Sequence, residues 1–237
     1  MNRELHIEVF FDFICPWCLI GKRQLEAALQ LLYHSHPDVD VKLQFRGVQL
    51  LPHISAQGEP FAAFYLQRLG SIEAVRMRQA QVKQAAAAVG VNIDFTQIAR
   101  MPNTLQAHRL LKVASNIGTS SQCDQLLERL FAAYFHLAED LGDRKTLLNI
   151  AQQCGFSSDE ISTLLDQPNQ AFKSGNTHGN GVPYFILDAR LGLAGAYPAD
   201  QLYQAMLDAL RTQVIPESVL DQTPEQTLEQ LAQGQLK

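Results

Sequence analysis

The chain has 237 residues, 46% hydrophobic and 18% charged, with a net charge of −5. That balance fits a folded globular protein with a sizeable core, as one large domain or a domain carrying an insertion. The acidic balance excludes the electrostatic footprint of a nucleic-acid or anionic-membrane binder. No apolar run reaches the roughly 18 residues of a membrane-spanning helix, so neither nucleic acid nor membrane is expected as a partner. Met1-Asn2-Arg3-Glu4-Leu5-His6 leads into alternating sequence without the apolar stretch of a secretion signal, and a cytoplasmic location is expected. There, a close pair among the four cysteines points to redox or metal chemistry rather than to a standing disulfide.

Leu5, Ile7, Val9 and Phe11 recur at every second position, which predicts a strand. After Cys15-Pro16-Trp17-Cys18, the apolar residues Leu25, Ala28, Leu29 and Leu32 follow helical spacing, and a helix is expected from about Cys15 to Tyr33. Val39, Val41, Leu43 and Phe45 alternate again, completing a β-α-β unit with a right-handed crossover. Between Pro52 and Ala171 strand patterns give way to helical ones: 61–69, 72–89, 104–117, 122–137, 145–154 and 159–165. Gly90, Gly118, Gly142 and Gly155 are placed as helix C-termini, and Asn103 with Gln106 reads as a capping box. Val182 to Leu187 and Leu191 to Ala194, joined by Asp188-Ala189-Arg190, predict a hairpin. Leu202, Ala205, Met206, Ala209 and Leu210 share one face of a last core helix. Thr223-Pro224-Glu225-Gln226 is expected to cap a short helix in the tail.

This order, β-α-β, helices, then β-β-α, forms one sheet only if the helices are an insertion. The fold class read from it is α/β: a thioredoxin fold interrupted by an all-helical insertion domain. Its expected boundaries are 1–51 and 172–213 for the thioredoxin-like domain, 52–171 for the insertion and 214–237 for the tail.

Two cysteines three positions apart at a helix start lie on one helix face, beside the N–H groups that every helix start leaves unpaired. Only a thiolate attacks a disulfide, and a free thiol titrates near pH 8.5. Lowering a thiol to about 6 takes roughly 3.4 kcal/mol, beyond the roughly 0.3–2 kcal/mol of a helix macrodipole. Hydrogen bonds to the leading sulfur must supply the rest. Cys15, expected to be exposed, is therefore the nucleophile and Cys18 the resolving thiol, with Pro16 and Trp17 as supporting residues that tune the pair.

The competing reading of a CxxC is half of a zinc site, which needs a second ligand pair. Cys123 and Cys154 stand alone on apolar helix faces and read as core thiols. Pro183 is either the start of an edge strand or the proline that faces the CxxC in a thioredoxin fold as a cis peptide. In the second case the Val182 backbone is free to pair with an extended substrate. Asp12 is expected to cap local N–H groups, with a proton relay as the alternative, and Lys22 and Arg23 to form a solvated face. His108 and Arg109 read as a satisfied surface or core pair, with a substrate or glutathione contact as the alternative.

Phe11-Asp12-Phe13-Ile14-Cys15-Pro16-Trp17-Cys18-Leu19-Ile20-Gly21-Lys22-Arg23 resembles the opening of DsbA-family thiol:disulfide oxidoreductases of the FrnE-like branch. Asn103 to Leu110, Ala133-Tyr134-Phe135, Gly181-Val182-Pro183-Tyr184-Phe185 and Gly195-Ala196-Tyr197-Pro198 extend the resemblance, in the same order, over residues 5–211. It implies exchange of a Cys15–Cys18 disulfide with protein or small-molecule dithiols, with Pro183 as the cis-proline and no bound cofactor or metal. Because Trp17 adds no formal charge, a reduction potential between about −120 and about −270 mV is expected. The resemblance extends to 2-hydroxychromene-2-carboxylate isomerase and kappa-class glutathione transferase, in which serine usually replaces Cys15. A glutathione-dependent isomerase or transferase is accordingly the alternative, and glutathione the co-substrate it brings in.

Overall fold

Strand β1 (Arg3–Phe11) buries Leu5, Ile7 and Val9 on one face. The computed structural model describes residues 3–167 and 171–213. Helix α1 (Pro16–Ser35) crosses to β2 (Val39–Gly47), which pairs parallel with β1 and aligns Leu5 with Val41, Ile7 with Leu43 and Val9 with Phe45. The chain returns to this sheet with β5 (Tyr184–Leu187), antiparallel to β1, and β6 (Leu191–Ala194), giving the order β2-β1-β5-β6. The β5–β6 turn places Asp188 and Ala189 at φ 50° and 56°, as a tight hairpin requires. Asp188 tolerates that conformation while its Oδ1 accepts the His6 N–H at 2.9 Å. Helix α8 (Ala199–Thr212) packs beside α1, so Leu25, Ala28, Leu32, Leu202, Met206 and Ala209 cover the apolar face of the sheet.

Between β2 and β5 lie α2 (Phe61–Leu69), α3 (Ile72–Ala87), α4 (Leu105–Ile117), α5 (Ser120–Phe135), α6 (Arg144–Gln153) and α7 (Ser158–Leu165). They enclose a second apolar cluster that begins where β1 ends: Phe11 and Phe13 pack edge-to-face at 5.0 Å, and both meet Phe131 of α5. Thus the fold class read from element order is the fold observed.

Several local expectations are corrected. The helical block also contains a two-residue strand pair, β3 (Glu59–Pro60) and β4 (Arg100–Met101). Thr104 rather than Asn103 is the α4 N-cap, and no capping box forms there: the Asn103 amide accepts the Leu105 N–H at the helix start but otherwise turns away, donating to the Ile54 carbonyl and accepting from Gln49. The capping box is at Thr119 and Gln122 instead, opening α5. Gly142 closes no helix; its N–H turns back to Asp140 Oδ1 before α6. The capped helix expected at Thr223 lies outside the described residues.

Lys22 and Arg23 do not form a solvated face. Lys22 is 7% exposed; it bonds Glu26 and Glu128, while Arg23 grips both Glu128 oxygens at 2.9 and 2.8 Å. The cluster ties α1 to α5, and its aliphatic stems are covered by the same contact. Burial would raise the Glu128 carboxyl, but hydrogen bonds from Arg23 and Lys22 outweigh it and hold Glu128 below its usual range. A lowered folded-state value gives stability that is complete above the ordinary carboxyl value of 4.5 and lost as pH falls through the folded one. Urea midpoints are expected to fall in that acid window, and to fall less steeply in Glu128→Gln. Equal acid sensitivity of the two proteins refutes the assignment.

Candidate functional site

At the end of β1 the chain turns through Asp12-Phe13-Ile14, and the Asp12 carbonyl accepts the Cys15 N–H at 3.1 Å. Cys15 is the N-cap of α1, in extended backbone conformation (φ −88°, ψ 109°), with Pro16 in the first turn. Pro16 is at home there, since an N–H at that point has no intrahelical partner. The Cys15 carbonyl accepts the Cys18 N–H at 3.0 Å, so Cys18 is one turn deeper on the same face. Both thiols are free, and they are close enough for Cys15 to shift the titration of Cys18.

Cys15 is not exposed as expected: it is 8% accessible and Cys18 2%. Two features cover it. From one side, helices α2 and α3 fold over the helix start and leave a cavity of about 340 Å³ whose wall includes Cys15, Pro16 and Trp17. From the other, the segment before β5 brings the Val182 carbonyl to 3.7 Å from Cys15 Sγ, which donates to it. The Val182–Pro183 peptide is cis. Gly21 lets this segment approach α1, because a Cβ there would lie 3.0 Å from Pro183 Cγ and 3.3 Å from Phe185 Cζ.

The two thiols differ electrostatically. Burial pushes Cys18 well above the ordinary thiol value, reinforced by the hydrogen bond and charge of Cys15 and opposed by the Asp12 N–H. Cys18 therefore stays protonated at neutral pH and can donate its S–H to Cys15. Tyr65, from α2, lines the same cavity. Burial, with the charge of the neighbouring Cys15, pushes its phenol up to about 12 and keeps it a hydrogen-bond donor.

Beneath the cysteines, Asp12 is fully buried and does more than cap local backbone. Its Oδ2 accepts the Leu50 N–H at 2.8 Å, and its Oδ1 pairs with His108 Nε2 at 3.0 Å. The His108 ring stacks on Phe172 at 4.8 Å and packs against Phe13 at 4.9 Å. Its Nδ1 has no hydrogen-bond partner among the described residues and faces Gly47, where an added Cβ would come within 2.4 Å of it. His108 is thus a core residue bonded on one side only. Arg109 points elsewhere, donating to the Leu165 carbonyl at 2.5 Å.

The structure therefore brings together Asp12, Cys15, Pro16, Trp17, Cys18, Val182, Pro183 and His108. It keeps Asn103, Arg109, Cys123 and Cys154 apart from them. Cys154 is buried at the end of α6, and Cys123 is half-buried, donating to the Ala114 carbonyl at 3.6 Å. Among the described residues no three His, Cys, Asp or Glu side chains converge as metal ligands. Sequence reasoning missed Phe64, Tyr65, Arg68 and Arg78, which line the cavity. Their helical pattern marks α2 and α3 as helices but not which element they face.

The DSBA-like thioredoxin domain family matches residues 6–207, and the chain belongs to that family. It is similar to protein YwbO of Bacillus subtilis, with 26% identity over 212 residues covering 86% of this chain and 96% of YwbO. Among solved structures it is similar to a probable DsbA oxidoreductase from Streptomyces coelicolor, at 25% identity and a TM-score of 0.75, covering 93% of this chain and 92% of the other. It also shares its fold with the cytosolic disulfide reductase DsbM from Pseudomonas aeruginosa, solved with glutathione, at 15% identity and a TM-score of 0.52, covering 92% and 100%. The family is one of thiol oxidoreductases acting on dithiol or disulfide substrates.

Proposed function

We propose that this protein exchanges a Cys15–Cys18 disulfide with protein or small-molecule dithiols; when the reduced pair meets a substrate disulfide, Cys15 attacks and Cys18 resolves. One observation carries the reading: two free, neighbouring thiols at a helix start, the outer one on a cavity wall and the inner one held protonated by burial. The thiolate of Cys15 attacks a substrate disulfide, leaving a mixed disulfide and a substrate thiolate. Cys18 then loses its proton and attacks the Cys15 sulfur, so the second substrate thiolate departs and the internal disulfide forms. Val182, next to the cis-Pro183 peptide, presents a carbonyl already facing Cys15 and is the backbone against which an extended substrate would align. Pro16 and Trp17 complete the surround of the leading sulfur.

Among the described residues no helix is long and apolar enough to cross a membrane. A cytoplasmic setting, with glutathione as one redox partner, fits the fold shared with the cytosolic disulfide reductase DsbM, which was solved with glutathione.

Trp17 is the single tryptophan of the chain and sits between the two cysteines, so its fluorescence reports their state. Equilibration against glutathione buffers is expected to give one two-electron transition, between about −120 and about −270 mV. Mass spectrometry then finds a loss of two hydrogen atoms confined to the peptide carrying Cys15 and Cys18. No such disulfide, or full activity in Cys18→Ala, overturns this reading; the latter favours glutathione activation by Cys15 alone.

A further inference from the structure

The cavity beside Cys15 is apolar through most of its depth, walled by Leu51, Phe61, Phe64, Phe95 and Met101. At about 340 Å³ it falls within the range of small-molecule sites. Its charged groups among the described residues are Arg68 from the last turn of α2 and Arg78 from α3, with no carboxylate among them. Neither arginine has an ion-pair or hydrogen-bond partner among the described residues. Both act on the Tyr65 hydroxyl, as does Cys15, so the four groups share one electrostatic neighbourhood. A chain of net charge −5 has placed here two cations that are unpaired among the described residues.

Resting on the disulfide-exchange reading, we propose that this cavity selects small disulfides with an aromatic or aliphatic body and a carboxylate. The body fills the apolar part beside Cys15, and the anion meets Arg68 and Arg78. Guanidinium groups suit this task because their planar donors match a carboxylate in pairs. Phenylalanine walls favour a ring over a hydrated peptide-like body, since burial of apolar surface and ring–ring contact act together. Electrons balance without a further reagent. The reduced enzyme takes one RS–SR, forms the Cys15–Cys18 disulfide and releases two RSH.

The test compares second-order rates of the reduced enzyme with three probes: dithiobis-nitrobenzoate, an aromatic dianion; dithiodipyridine, aromatic and neutral; and glutathione disulfide, anionic but polar. Each rate is divided by that of mercaptoethanol with the same probe, which removes intrinsic reactivity. The net charge alone disfavours the dianion. The proposal expects the opposite: a preference for the dianion over both other probes, weakened by added salt. In Arg68→Gln/Arg78→Gln the dianion-to-neutral ratio is expected to fall about fivefold or more. Because a ratio is read, a general loss of folded protein cancels. A wild-type ratio at or below one, or a ratio untouched by the double substitution, overturns the proposal. If the dianion preference is present but no Cys15–Cys18 disulfide forms, the exchange reading fails and the binding preference stands.

Discussion

Cys15→Ser is expected to lower disulfide exchange by about 10³-fold or more, since a serine hydroxyl is not ionised at neutral pH and cannot replace a thiolate nucleophile. The Cys18→Ser protein should behave differently. Its Cys15 still opens the substrate disulfide, but nothing behind it displaces the bound half. A mixed disulfide therefore accumulates, visible as a mass increase equal to one substrate half and reversed by a small dithiol. The two substitutions thus separate attack from resolution, which turnover alone does not. Comparable turnover in Cys15→Ser and the native chain, or trapping at Cys18 rather than Cys15, would sink the assignment of roles. The geometry gives the order: Cys15 faces the cavity, while Cys18 is 2% accessible and held protonated by burial.

Asp12→Ala is expected to cost about 3–5 kcal/mol, the sum of two buried donors left unpaired plus the space of the lost carboxyl. Those donors are the Leu50 N–H and His108 Nε2, both now bonded to Asp12. For a chain of this size the loss corresponds to a melting temperature lower by about 10 °C or more. Asp12→Asn keeps an acceptor for one of the donors and should recover about half of the difference. A double-mutant cycle with His108→Ala isolates the pair: a coupling under about 0.5 kcal/mol would show that the contact contributes little. The same variants connect stability to the site, because the Asp12 backbone accepts the Cys15 N–H and directs its own N–H toward Cys18.

What the sequence made legible follows distance along the chain. Strand β1, the thiol pair and α1 are adjacent, and their periodicities change at Cys15 without ambiguity. The β5–β6 hairpin is equally local, with Asp188 and Ala189 supplying its turn. Partners far apart in sequence left no such trace. Asp12 meets His108 across 96 residues, and Arg23 meets Glu128 across 105. One-dimensional patterning reports which face of an element is apolar, not which other element covers it. For that reason Lys22 read as solvated when it is buried, and Cys15 read as exposed when α2 and α3 roof it. Asn103 shows the same limit at short range: its side chain is shared between the Leu105 N–H and the distant Ile54 and Gln49, partners that the spacing to Gln106 did not reveal.

The covering of Cys15 also has a kinetic side. Val182 lies 167 residues along the chain from the sulfur whose hydrogen bond it accepts, so this contact cannot form before the later segment has been made. During synthesis both cysteines are made long before the segment that shields them. A nascent chain accordingly carries two accessible thiols, open to capping or to premature oxidation, until its final strands dock.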